Sequence, residues 1–249
     1  MVEAVRTLLS ERYAPITSSI GFLEVPLDDA ARALEDWRRS LYSSVAVSRP
    51  PDGFPDVLGR LEPLTGGARP RELLLVGAGG WTAYFDNSLH GTDAVSAVGH
   101  LSRTLRCQGL AIEVVPHTAR AGDDTQGRMG AVQFELFGPI ETEFLNYVRT
   151  VSAAFDGSRW QFTATGTEQA FEEVDAYRAR RVRDRFTSAM LERYCRALGI
   201  EVFDPGFYGP EAVFVASDVP MAPEGLVMSL RETQEWLGIV PGVADSMPG

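Results

Sequence analysis

Residues 73–87 read LLLVGAGGWTAYFDN, and the fold turns on whether the glycines in the middle cradle a phosphate or turn the chain. Leu73 to Val76 form an apolar run of the kind found in a central strand. A dinucleotide-binding loop would continue as G-x-G-x-x-G into a helix whose amides face the pyrophosphate. Here Thr82 stands at the sixth position, and Trp81, Ala83 and Phe85 alternate with Thr82 and Tyr84. A period of two, rich in aromatics, is a strand pattern. The glycines therefore predict a hairpin turn between neighbouring strands, and no cofactor is expected.

The segments on either side extend this reading. Residues 2–13 place Val2, Val5, Leu9 and Tyr13 near one face of a short amphipathic helix, and SSIGFLEVPL (18–27) reads as a strand ending near Pro26. Ala30, Leu34, Trp37 and Leu41 recur at helical spacing, with Asp28 or Asp29 as the expected cap. The Pro- and Gly-rich stretch that follows predicts a long surface crossing with one helical turn at residues 56–61. Beyond the hairpin, Val95, Val98, Leu101 and Leu105 line a helix capped by Thr92, and GLAIEVVPH (109–117) returns as a strand. Residues 1–117 thus read strand, helix, strand, strand, helix, strand, the order of a ferredoxin-like β-α-β-β-α-β unit.

The second half opens with a polar loop, then a strand over AVQFELFGP (131–139) that points Val132, Phe134 and Leu136 one way. Asp156-Gly157 marks a two-residue hairpin turn. Residues 168–199 carry a helical pattern that breaks near Thr187-Ser188 and stops at Gly199. A strand over AVFVAS (212–217) follows, and Ser229 with Glu232 forms a capping box for a last helix closed by Gly238. The expected architecture is one α+β domain over residues 1–249, a mixed or antiparallel sheet with helices on one face. A subdivision near 118–128 would separate 1–117 from a hairpin and long-helix half, 129–249.

Composition narrows the chemistry. The chain has 249 residues, 45% hydrophobic and 23% charged, within the range of ordinary globular domains. No apolar run approaches the roughly 18 residues of a membrane span. The N-terminal residues Glu3, Arg6, Glu11 and Arg12 interrupt any signal-peptide core. A cytoplasmic protein is expected, with Cys107 and Cys195 as reduced structural thiols. All 23 basic residues are arginine, a bias of GC-rich, bacterial coding. Without lysine, the P-loop, Schiff-base, kinase and S-x-x-K chemistries are excluded in their usual forms.

The net charge of −11, with eight acids against Arg231 alone from Glu201 onward, disfavours nucleic acid and favours a basic protein partner. His90, His100 and His117 lack metal-ligand spacing, so no metal site is expected. The acidic pairs Asp28-Asp29 and Asp123-Asp124 suit a helix start and a turn. Five arginines between Arg178 and Arg185 are expected to pair with Glu172, Glu173, Asp175 and Asp184 along a helix and with the acidic C-terminal segment, a phosphate or carboxylate clamp being the alternative. The expected binding residues are Trp81, Tyr84, Asp86, Asn87 and His90, aromatics flanked by acids at a turn, with Asp123 and Asp124. No family motif is legible. The expected function is a noncatalytic acidic module that binds a protein partner, as an intracellular inhibitor or toxin-neutralising immunity protein does. The alternative is a small-molecule hydrolase or transferase, using His117, Asp123 or Glu113 near a strand end.

Overall fold

The computed structural model describes residues 5–67, 70–119, 127–142, 145–220 and 225–242. The glycines after Val76 do turn the chain. Strand β4 (Arg71–Gly77) pairs antiparallel with β5 (Thr82–Asp86), and Leu74 faces Tyr84. The connection Ala78–Gly80 is a tight 3-10 turn, with Gly79 and Gly80 at φ 67° and 86°, where a side chain would be strained. No helix follows that could present its amides to a phosphate.

The other strands are numbered in chain order: β1 (Ser19–Leu23), β2 (Val45–Ser48), β3 (Leu64–Thr65), β6 (Gly109–Val115), β7 (Ala131–Phe137), β8 (Tyr147–Phe155), β9 (Trp160–Gly166), β10 (Tyr208–Ser217) and β11 (Val227–Met228). Nine of the eleven form one sheet in the order β2-β10-β4-β5-β1-β6-β7-β8-β9, and β3 with β11 forms a small ribbon. Every pairing between strands is antiparallel. The inner order β4-β5-β1-β6 is that of a ferredoxin-like unit, with β5 inserted between β4 and β1. The two halves of the chain share the sheet, because β6 pairs with β7 over seven residues.

Helices α1 (Leu27–Leu41) and α2 (Ala94–Leu105) lie on one face of the sheet. Leu34, Val98 and Leu101 pack there against Leu23, Leu74, Tyr84 and Ala111. Two glycines set where α2 sits. A Cβ on Gly21 of β1 would come within 2.6 Å of Val98 Cγ2, and one on Gly109 of β6 within 2.6 Å of Val98 Cγ1. Val98 therefore drops into a notch formed by the absence of two side chains. The opposite face carries the larger core, with Phe22, Phe85, Ile112 and Phe134 under Leu58, Phe186, Leu191, Tyr194 and Phe207.

Several local expectations change. In the described part of the expected N-terminal helix there is only a 3-10 turn, Leu8–Glu11, with Leu9 and Ser10 at positive φ; residues 2–4 lie outside the described ones. Neither Asp28 nor Asp29 caps α1. Both sit in its first turn after Pro26, where they oppose the helix dipole. Thr92 is not a cap either. Its hydroxyl receives the Asp86 amide and donates to the Ile16 carbonyl. The Asp156-Gly157 turn is longer than two residues, with β8 ending at Phe155 and β9 starting at Trp160. Asp156 organises it by accepting from the amides of Ser158 and Arg159.

The largest change is at residues 168–187, which are not helical beyond the 3-10 turns Ala176–Arg178 and Val182–Asp184. Glu172 is drawn into the core by Arg149 of β8, with Nε–Oε1 at 2.9 Å and Nη2–Oε2 at 2.6 Å. Phe171, Ala176 and Tyr177 dock at spacings a helix could not offer. Helix α3 (Ser188–Ala197) starts where Thr187 caps the Met190 amide and ends at Gly199, φ 81°. Helix α4 (Leu230–Leu237) has the full Ser229–Glu232 capping box and a left-handed Gly238. Cys107 and Cys195 are both buried free thiols.

Candidate functional site

Helices α1 and α2 are too few to cover their whole face. They lie over the strands from β10 to β6, α2 reaches β7 only at Phe137, and no described helix covers the same face of the rest of β7, β8 and β9. Alternation along these strands aims every second side chain outward. Opposite pairs then form rows. Glu135 faces Thr150, which faces Thr165; Gln133 faces Ser152, which faces Thr163. Glu113 of β6 extends the second row opposite Gln133. None of these side chains is buried, and Thr163 and Thr165 are exposed. The result is an open sheet surface of hydroxyls and amides carrying two carboxylates.

Glu113 and Glu135 are diagonal cross-strand neighbours, roughly 7–8 Å apart by strand geometry with their Cβ atoms somewhat closer. Among the described residues, neither has an arginine in ion-pair contact. The Gln133 amide donates to Glu113, and the Tyr147 hydroxyl donates to Glu135. Partial burial raises the Glu113 carboxyl above the ordinary glutamate range, and the Gln133 hydrogen bond offsets part of that rise. Burial also raises Glu135, the Tyr147 hydrogen bond opposes it, and the Glu113 charge adds to it. Tyr147 is pushed up to about 12, first by burial and then by the Glu135 charge. Both carboxylates are thus partly desolvated without a compensating cation among the described residues, which makes them acceptors for an incoming positive group.

The row that holds Glu113 runs into a cleft of about 530 Å³, at the end of the sheet where β6 finishes and β7 begins. Its lining includes His90, Glu113, Arg128, Met129 and Trp236. The His90 ring lies 5.5 Å from that of Trp236. Trp236 is 41% exposed and Met129 56%, large apolar groups standing at a rim. Arg128 adds little free positive charge, because its guanidinium forks onto Glu11, and both side chains are almost fully buried. The charge left over in the cleft is that of Glu113.

The residues singled out at the 81–90 turn divide. His90 is exposed and lines this cleft. Trp81 is buried, donating its indole N–H to the Leu198 carbonyl at 3.2 Å. Tyr84, fully enclosed, donates to Glu72 at 2.8 Å, and Arg38 of α1 grips the same carboxylate through two 2.6 Å bonds. Asp86 accepts from the amides of Ser88 and Asp93 and so shapes the turn into α2. Asn87 donates to the Pro63 carbonyl and accepts from the Arg71 amide. These four are buried in the scaffold and offer no surface to a partner. Asp123 and Asp124 lie outside the described residues. Of the strand-end residues, Glu113 is in the site. His117 packs against Phe155 and Trp160 with its Nδ1 accepting the Gly130 amide, and burial followed by the Arg183 charge lowers its pKa. Glu135, Tyr147, Met129 and Trp236 were not singled out. The signal for Glu135 was present, since Gln133 and Glu135 alternate with Val132, Phe134 and Leu136 just as Glu113 alternates with Ile112 and Val114.

No family model matches the chain, and neither the curated proteins nor the solved structures give a match.

Proposed function

We propose that the protein is a noncatalytic binding module that docks a basic segment of a protein partner on the open face of β6–β9. The observation that carries this reading is the pair Glu113 and Glu135, two half-desolvated carboxylates without a cation among the described residues. A lysine or arginine from a partner would supply the missing charge. The exposed Trp236 and Met129 beside Glu113 would hold the apolar stem of such a side chain, and Trp236 could face its cation. The excess of acid over base, net −11, would steer a basic partner toward the surface at low ionic strength. An inhibitor or immunity protein for a basic enzyme is the kind of protein this describes. Affinity isolation from native extract with mass spectrometry tests it: wild-type protein is expected to retain a stoichiometric basic partner that Glu113→Gln/Glu135→Gln protein loses. Equal recovery by both would reject this surface.

The carboxylate pair also favours a second reading, a small-molecule hydrolase. Two neighbouring carboxyls, both raised by burial and Glu135 further by the Glu113 charge, beside a cleft, suit general acid–base work. Hydrolysis of a small ester or glycoside that disappears in Glu113→Gln, with no partner recovered, would select it.

A further inference from the structure

The sheet has two outer edges, and they are treated differently. On one side β2 is only four residues long and runs into Arg49, Pro50 and Pro51. Short length, charge and proline are the usual protections against unwanted strand pairing. On the other side β9 runs for seven residues, WQFTATG, with no charge, proline or bulge. Its pairing with β8 is in continuous register from Trp160 to Gly166, and no described strand pairs with its outer side. Trp160 and Phe162 turn toward the large core while Gln161, Thr163 and Thr165 stand on the open face, so nothing on β9 itself discourages another strand.

Beside this edge lies the arginine-rich segment. The turn Val182–Asp184 packs against β9 and β8, and the Arg185 guanidinium sits 5.8 Å from the Phe162 ring centroid. The expected pairing of these arginines along a helix does not occur. Glu172 is bound to Arg149 and Glu173 to Arg193. Only Arg178 reaches Asp175, at 4.0 Å, both in nearly full solvent exposure. Arg180, Arg181 and Arg183 have no ion pair among the described residues, and Arg180 and Arg181 are exposed. Residues 175–185 hold five arginines against two aspartates, in a chain whose net charge is −11.

We infer that the outer edge of β9 takes up an extended acidic segment of a partner protein by strand addition, with Arg180, Arg181 and Arg183 receiving its carboxylates. Main-chain hydrogen bonds to an edge strand give such a complex its affinity, and flanking side chains select the sequence. Arginine forks onto carboxylates supply that selection here. This surface is separate from the Glu113–Glu135 face and takes a partner segment of opposite charge, so either reading can fail without the other.

The test uses the full chain and a synthetic twelve-residue peptide of alternating glutamate and valine. Fluorescence anisotropy gives the affinity, and amide NMR shifts give the location. The expected result is low-salt binding with shifts centred on residues 160–166 and 178–185. Binding should weaken at least tenfold in Arg180→Gln/Arg181→Gln/Arg183→Gln protein, with its thermal melt unchanged. It should weaken as much when alternate peptide nitrogens are methylated on one edge, a change that leaves the protein intact. Full affinity of the methylated peptide, shifts centred away from β9, or no binding at millimolar peptide would overturn strand addition. So would polyphosphate bound at the arginines while the glutamate peptide stays silent.

Discussion

Removing Glu172 tests why residues 168–187 abandon the helix their sequence suggests. The carboxylate accepts four hydrogen bonds: Arg149 Nε at 2.9 Å, Arg149 Nη2 at 2.6 Å, Tyr177 Oη at 2.7 Å and the Gln169 amide at 2.8 Å. The Glu172 side chain is 0% exposed and that of Arg149 6%, so water cannot replace either partner. Glu172→Ala leaves a guanidinium buried without its anion, and breaking such a pair from one side costs about 3–5 kcal/mol. At roughly 2–4 °C per kcal/mol for a chain of this size, the melting temperature falls by about 6–20 °C. The double variant Arg149→Met/Glu172→Leu removes both charges and recovers most of the loss, since a buried pair is weakly stabilising or neutral against apolar replacements. Urea unfolding followed by circular dichroism measures all three proteins. A loss under about 1 kcal/mol in Glu172→Ala would refute the argument, because surface pairs typically contribute no more than that. Equal losses in single and double variants would show that packing, not charge, anchors the segment.

Four further outcomes follow from the geometry. Folding raises the proton affinity of Glu113 and Glu135, so just above the ordinary glutamate pKa the native state holds more protons than the unfolded chain. Stability therefore falls as pH rises through that window, and Glu113→Gln/Glu135→Gln flattens the slope in urea titrations at several pH values. A basic partner expels those protons, so its affinity rises with pH over the same window; proton release measured by calorimetry in two buffers checks the sign. Gly109→Ala and Gly21→Ala each drive a methyl into Val98 and should cost about 1–3 kcal/mol by overpacking, a loss that Val98→Ala largely reverses. Cys107, its thiol pushed up to about 11, and Cys195, raised further, both by burial, should resist iodoacetamide in the native protein and react once it is denatured. Rapid native labelling of Cys195 would place it outside the core.

Much of the backbone plan was written locally. The two-residue period after Gly80 decided the hairpin, because side chains on a strand must alternate whatever surrounds them. Thr187, Gly199, Ser229 and Gly238 marked helix ends, since unsatisfied terminal amides and carbonyls need those residue types nearby. The β-α-β-β-α-β order was legible for the same reason. Fates set by distant residues were not legible. Tyr84 and Asp86 look like turn surface until Arg38, from α1, brings Glu72 onto them and closes them in. Glu172 belongs to a helical pattern until Arg149 outbids the helix for it. Glu113 and Glu135 are visible as acids in alternating strands, but their isolation comes from where α2 lies. Val98 seated on Gly21 and Gly109 holds that helix over β1 and β6, leaving β8, β9 and β7 short of Phe137 open. Sequence by itself determined most of the strands and helices, residues 168–187 and the N-terminal turn being the exceptions, because backbone geometry depends largely on near neighbours. Only the tertiary structure decided which faces are covered, because burial is set by whichever distant segment packs there.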